Sequence, residues 1–278
     1  MLPNLIIIGA QKCGTTSLHY YLNRHPQIAM SRLKELQFFN VEGNWHRGAT
    51  WYESQFDSRR PIRGEASPQY TCHPQFAGVP QRMHSLVPAA KLIYLVRHPI
   101  ERLIAQYIHL VDGGYEQRSL PDALAELDNN PYVLRSLYGM QLEQYLPYFP
   151  LLNILIITQE QLLRNRLPTL AKVFRFLEVD DSFQSPSWNR QKHRSSEKRR
   201  KNRVGRLLAG GILRLRLREI SPPLQAVVER YICYPFSEKI ARPVLDESLR
   251  QRLAALFQPD LIRLMNHTGQ TFPEWQWP

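Results

Sequence analysis

The alternation of short apolar runs with helical patterns predicts an α/β protein. Its expected form is a central, mostly parallel sheet of about five strands between two layers of helices, with a helical C-terminal part. Two further observations support that class. A glycine-rich turn follows directly on the first apolar run, as a strand-to-helix connection does, and no Gly/Ser-rich, repetitive or low-complexity stretch divides the 278 residues. With 43% hydrophobic residues, the chain reads as one domain over residues 1–278, long enough to bury a substantial core.

Taken in order, the runs at 5–8, 27–29, 62–64, 92–96 and 154–157 are short, apolar and bounded by polar or turn-forming residues, so each is predicted as a strand. Helical spacing of apolar residues marks 15–24, 99–110, 133–148 and 167–177, and the chain from about residue 197 onward is expected to be helical. Pro99 suits the first position of its helix, because the N–H it lacks is one that a helix start leaves unpaired. Ligands of parallel sheets bind beyond the carboxyl ends of the strands. Two runs end in unusual residues there: 5–8 leads into Gly9-Ala10-Gln11-Lys12-Cys13-Gly14-Thr15-Thr16-Ser17, and 92–96 ends at Arg97-His98-Pro99.

The first of these turns is a P-loop-like phosphate cradle. Its glycines keep the spacing of the nucleotide-binding P-loop, whose lysine directly follows the second glycine; here Thr15 stands in that place and the lysine lies inside the loop, at position 12. Backbone N–H groups from Cys13 to Ser17, with the hydroxyls of Thr15, Thr16 and Ser17, are expected to surround a phosphate, and the helix start adds partial positive charge. Lys12 is placed for a bridging oxygen rather than a terminal phosphate. The plainer alternative is a glycine turn with an exposed lysine.

Arg97 presents a planar fork suited to a second phosphate, or else it pairs with Glu101. Nucleoside triphosphatases of the P-loop type put a magnesium-holding aspartate at the end of a neighbouring strand; a cation in that place argues against them and against a need for metal. An acceptor hydroxyl needs a base, and Glu35, in Leu33-Lys34-Glu35-Leu36-Gln37-Phe38-Phe39, is the candidate; a solvated pair with Lys34 is its plainer reading.

The charge balance, 36 Lys and Arg against 24 Asp and Glu, gives a formal +12 and favours anionic partners. Much of the excess lies in residues 189–203, which contain no aromatic side chain on which a base could stack, so nucleic acid is not the expected partner. Cys13, Cys72 and Cys233 are odd in number and lack metal-ligand spacing, which points away from a disulfide framework and from a metal site. No apolar run approaches the ~20 residues of a membrane span, and the first residues do not form a targeting segment, so a cytoplasmic protein is expected.

The loop, Lys34-Glu35 before Phe38-Phe39, Gly64-Glu65-Ala66-Ser67-Pro68 and Arg97-His98-Pro99-Ile100-Glu101-Arg102 together resemble the sulfotransferases that use 3′-phosphoadenosine 5′-phosphosulfate (PAPS), in their heparan-sulfate-type and bacterial branch. Tyr138-Gly139-Met140-Gln141-Leu142, Phe174-Arg175-Phe176-Leu177 and the stretch from Leu245 to Trp275 extend the likeness in the right order. The resemblance implies that Lys12, Cys13, Gly14, Thr15, Thr16 and Ser17 bind the 5′-phosphosulfate, that Lys12 and Glu35 are catalytic, and that Arg97 holds the 3′-phosphate. The product would be the desulfated nucleotide PAP.

Two departures qualify the likeness. Ala105 stands where the family places a second 3′-phosphate ligand, a serine, and Lys192 and Arg194 of the basic segment are the candidates to compensate. Ala66 stands where heparan-type enzymes carry a lysine near the acceptor. Trp45, His46, Tyr52, Glu65 and Ser67 are the candidates to meet the acceptor, expected to be a small molecule of bacterial secondary metabolism, with a glycan or lipid-linked oligosaccharide as the alternative. A P-loop kinase or NTPase is the competing enzyme class.

Overall fold

A computed structural model describes residues 1–57, 59–189, 199–201, 204 and 234–277. They belong to two compact units: Met1–Leu103, Leu127–Lys192 and Glu247–Pro278 form the first, Ile104–Glu126 and His193–Asp246 the second. The described elements are β1 (Leu5–Gly9), α1 (Thr15–Leu22), β2 (Ile28–Met30), α2 (Gly48–Glu53), β3 (Ile62–Ala66), α3 (Val79–Leu86), β4 (Lys91–Val96), α4 (Pro99–Gly113), α5 (Leu120–Ala123), α6 (Pro131–Leu134), α7 (Tyr138–Glu143), β5 (Ile154–Thr158), α8 (Gln159–Arg164), α9 (Arg166–Leu177), β6 (Arg199–Lys201), β7 (Ser237–Lys239) and α10 (Glu247–Thr268).

Strands β1 to β5 form one sheet in the order β2-β3-β1-β4-β5, and every neighbouring pair is parallel. Each lies within two residues of its expected limits. Every residue of β1 and β5 is buried, as are five of the six in β4. Successive side chains of a strand point to opposite faces, so burial along the whole strand means both faces are covered. From β1 the chain builds the sheet first toward β3 and β2, then toward β4 and β5. This reversal opens a crevice at the carboxyl ends of β1 and β4, where parallel sheets bind ligands.

The helix expected over 133–148 is instead two short helices, α6 and α7. Each has its own acceptor at its start. The Asn130 side chain accepts from the Tyr132 N–H at 2.9 Å, and the buried Asp260 carboxylate, from α10, accepts from the N–H groups of Gly139 and Met140 at 2.8 Å each. Between them Ser136 donates to the Pro99 carbonyl at 3.2 Å, which holds the turn against α4. These long-range bonds outweigh the local helical pattern.

In the second unit β6 and β7 pair antiparallel, with Arg200 opposite Glu238. A helix was expected at both places; the Arg199 guanidinium favours the strand pairing, since it donates to the Ser237 hydroxyl at 2.8 Å and its carbonyl at 2.6 Å. Lys192, Arg194 and most of the basic segment lie outside the described residues.

Candidate active site

The loop after β1 leaves the sheet at Gly9, where only glycine fits: an added Cβ would stand 2.0 Å from the Thr71 hydroxyl oxygen. Lys12 and Gly14 both take left-handed conformations, with φ of 69° and 96°. Glycine tolerates this freely and lysine does not, so the fold holds Lys12 in a conformation that has a cost. The loop closes on itself through the Cys13 N–H, which donates to Ala10 at 3.3 Å, and through the N–H groups of Ser17 and Leu18, which donate to the Gly14 carbonyl at 2.9 and 3.1 Å. The N–H groups of Gly14, Thr15 and Thr16, at the start of α1, are left with no acceptor within the helix.

The cradle is therefore narrower than expected. The Cys13 N–H serves the loop itself, and the Ser17 hydroxyl bonds to Tyr21. The Cys13 side chain is buried with its sulfur 3.7 Å from the Tyr138 hydroxyl, and burial pushes its thiol up to about 12, so it remains protonated and does not act as a nucleophile.

Glu35 follows β2 and also has a positive φ, 62°. Its N–H donates to the Ala66 carbonyl at 3.1 Å, which stitches its loop to the end of β3, and its carboxylate pairs with Lys34. Beneath this loop lies a carboxylate network. Glu65, fully buried, accepts from the hydroxyls of Tyr52 at 2.5 Å, Ser67 at 2.7 Å and Tyr70 at 2.9 Å, while the Ser67 oxygen accepts from the Gln37 N–H at 2.9 Å. Burial raises the Glu65 carboxyl and the three hydroxyl partners oppose the rise.

Tyr52, Glu65 and Ser67, expected at the acceptor, are buried in this network and face one another. They support the Glu35 loop from behind. Tyr52 stacks on Phe38 with ring centres 4.0 Å apart, Trp45 packs against Phe38 at 5.2 Å, and His46 is exposed. The aromatic residues after Glu35 thus serve mainly as core, with Trp45 half-buried at its margin.

One histidine near this loop, the alternative base should Glu35 fail, has an unusual environment. His19 of α1 is lowered to about 4, by burial first and by Lys34 second, and its Nε2 is buried with no partner among the described residues. It is a neutral imidazole within the field of Lys34 and Glu35.

Arg97 ends β4, as expected, and its guanidinium pairs with Glu101 at 3.0 Å. The pair lines an open cavity of about 550 Å³ together with Gln159, Arg164, Arg250 and Glu274. The Gln159 amide lies against the phosphate loop, 3.4 Å from where a Gly14 Cβ would stand. The cavity therefore adjoins the cradle. Arg164 and Arg250 lie 67 and 153 residues beyond Arg97 in the chain, which is why spacing alone does not associate them with it. Arg135 also escaped the sequence: it donates to the Gln11 side chain at 2.8 Å and to Gln75, bringing another cation to the loop.

A parallel five-stranded sheet with a glycine-rich loop after β1 and a cation following β4 defines an α/β protein of the P-loop-like kind. A family model, sulfotransferase domain, matches residues 2–209, and on that match the chain belongs to the sulfotransferase family. Heparan sulfate glucosamine 3-O-sulfotransferase 5 of Mus musculus is 30% identical over 190 residues, 64% of this chain and 54% of that protein. Membrane-associated sulfotransferase kil1 of Dictyostelium discoideum is 41% identical over 125 residues, 43% of this chain and 26% of that protein. The solved structure of a sulfotransferase from Alicyclobacillus acidocaldarius superposes with a TM-score of 0.70 at 25% identity, over 99% of both chains. The chain spans about half the length of the first of these relatives. Among the described residues no helix is long and apolar enough to cross a membrane.

Proposed function

We propose that the protein transfers a sulfuryl group from PAPS to the hydroxyl of an acceptor. What carries this reading is the pairing of a lysine inside the glycine loop with an arginine at the end of the adjacent strand, beside a cavity that meets the loop. Those residues fit a nucleotide with charge at two ends. The N–H groups of Gly14, Thr15 and Thr16 would hold the 5′ end, and Arg97, with Arg164 and Arg250 in the same cavity, would hold a second phosphate. PAPS, when bound, supplies sulfur already activated by its bond to the 5′-phosphate.

The chain's own residues then perform two tasks. Glu35 takes the proton of the acceptor hydroxyl as its oxygen forms a bond to sulfur, and Lys12 stabilises the negative charge gathering on the 5′-phosphate oxygen as its bond to sulfur breaks. The Lys34 pair and the bond to Ala66 orient the carboxylate of Glu35. No metal is invoked, since Lys12 and Arg97 supply the positive charge.

The acceptor proposed is a small hydroxylated molecule of bacterial secondary metabolism, entering over Glu35 past Trp45 and His46. The printed names of the heparan sulfate relatives keep a glycan as the alternative. A cytoplasmic setting is proposed with it; Cys13 and Cys72 are free thiols, as a reducing compartment would keep them.

Thermal unfolding with PAP, PAPS and ATP–magnesium tests the donor. Stabilisation by PAP and PAPS is expected, because a ligand that binds only the folded state raises its melting temperature. A shift with ATP–magnesium alone would instead assign the protein to the kinases. Labelled PAPS against an acceptor panel then separates small alcohols from oligosaccharides.

A further inference from the structure

Behind the phosphate loop lies an arginine that the proposed chemistry does not use. Arg102 of α4 is fully buried, and its bonded partners are neutral: Nε donates to the Ser136 hydroxyl at 2.5 Å and Nη2 to the Tyr132 carbonyl at 2.6 Å. Its Nη1 is buried with no hydrogen-bond partner, and among the described residues Arg102 forms no ion pair. The ionisable groups within its field are Tyr138, Cys13 and Cys72, all raised by burial and hence neutral, and a second cation, Arg135.

A buried charge without a counter-charge is costly, and native chains rarely keep one unless something else answers it. The place where this charge is felt identifies what does. Among the charges acting on the Cys13 thiol, in the middle of the loop, Arg102 is the strongest, ahead of Arg97. Arg135 adds its charge at Gln11. Two cations therefore bear on a loop whose N–H groups at Gly14, Thr15 and Thr16 have no acceptor within the helix.

We propose that Arg102 is a buried charge anchor for the donor: its positive field, unanswered among the described residues, is completed by the anionic 5′ end of the nucleotide seated in the loop of residues 9–17. Arg102 touches no ligand atom; it is a positioning residue acting through the loop. The inference rests on the donor reading above and deepens it. A charge held in this way costs the empty protein stability and returns it on binding, so the loop prefers an occupied state. The charge is also beyond the reach of counter-ions, in contrast to Arg97, whose side chain is 17% exposed.

The test is calorimetric binding of PAP to the wild type, R102M, R102Q and R102K, at about 50 mM and about 500 mM salt. Dissociation constants should rise about tenfold in R102M and R102Q, and stay within about threefold in R102K, which keeps the charge and loses the fork. The ratio of variant to wild type should not change with salt. Wild-type affinity in R102M and R102Q, an R102K as weak as R102M, or a ratio that closes at high salt overturns the proposal. So does failure of both R102M and R102Q to fold, since Arg102 would then be a structural group.

Inorganic pyrophosphate, followed by thermal unfolding, separates this inference from the donor reading. If PAP does not bind the wild type while pyrophosphate stabilises it, and stabilises R102M less, the donor reading falls and the anchor stands. If PAP binds the wild type and R102M alike, the anchor falls and the donor reading stands. A wild type that answers to neither ligand overturns both.

Discussion

Replacing Glu65 by alanine isolates the support of the Glu35 loop from the rest of the site. The substitution removes the acceptor of three buried hydroxyls, those of Tyr52, Ser67 and Tyr70, at 2.5, 2.7 and 2.9 Å. A buried polar group left without a partner costs about 1–3 kcal/mol. The bonds that remain do not replace that acceptor: the Ser67 and Tyr70 oxygens accept from the Gln37 and Phe39 N–H groups, and their O–H protons are left over. Three stranded donors, each near the low end of that range because a hydroxyl can rotate into the space the side chain vacates, should cost about 4 kcal/mol in all, which lowers the melting temperature by roughly 10 °C for a chain of this size.

Tyr70→Phe, which removes one bond to Glu65 and leaves the carboxylate two others, should cost about 1 kcal/mol. Because Ser67 tethers Gln37, two residues from Glu35, kcat should fall about tenfold in Glu65→Ala. PAP affinity should be unchanged, since the phosphate loop follows a different strand. Denaturant unfolding gives the stability difference and steady-state kinetics the split. A Glu65→Ala protein within about 1 kcal/mol of wild type, or one that loses PAP affinity in step with kcat, would refute the reasoning.

Further outcomes follow from the remaining site residues. Lys12→Ala should lower kcat by about 100-fold or more and weaken PAPS binding as well, measured by turnover and calorimetry. Glu35→Ala should lower kcat about 100-fold with little change in PAP affinity; an undiminished kcat would remove Glu35 as the base and turn attention to His19. His19 has its pKa lowered in the folded protein to about 4, against 6.5 unfolded, so the stability it allows is fully present above pH 6.5 and is lost as the pH falls toward 4. That loss is about 3 kcal/mol, and His19→Asn should flatten the fall in a pH series of denaturant unfolding. Arg164→Ala and Arg250→Ala should each reduce the preference for PAP over AMP, the same nucleotide without the 3′-phosphate, by about tenfold.

The strands were legible to within two residues because each is a short apolar run cut off by turn-forming residues, and full burial in a parallel sheet leaves that mark in composition alone. The positions of the glycine loop and Arg97 were legible for a related reason: both sit at strand ends, next in the chain to a strand that can be recognised. Tyr52, Glu65 and Ser67 were placed near the site and misjudged in direction. Polar residues beside aromatic ones look like a pocket lining, and only their mutual bonds reveal a buried network. The 133–148 stretch failed in the same way, its helical spacing being overruled by Asp260, more than a hundred residues further on.

The sequence by itself determined the class of fold, the cradle, the displaced lysine and the cation that ends β4, because these depend on neighbours along the chain. The tertiary structure alone decided which cations share a cavity with Arg97, which carboxylate supports the Glu35 loop, and that Arg102 is buried without a counter-charge among the described residues. Hydrogen bonding, desolvation and charge act through space, and residues far apart in the chain meet only once the sheet has formed.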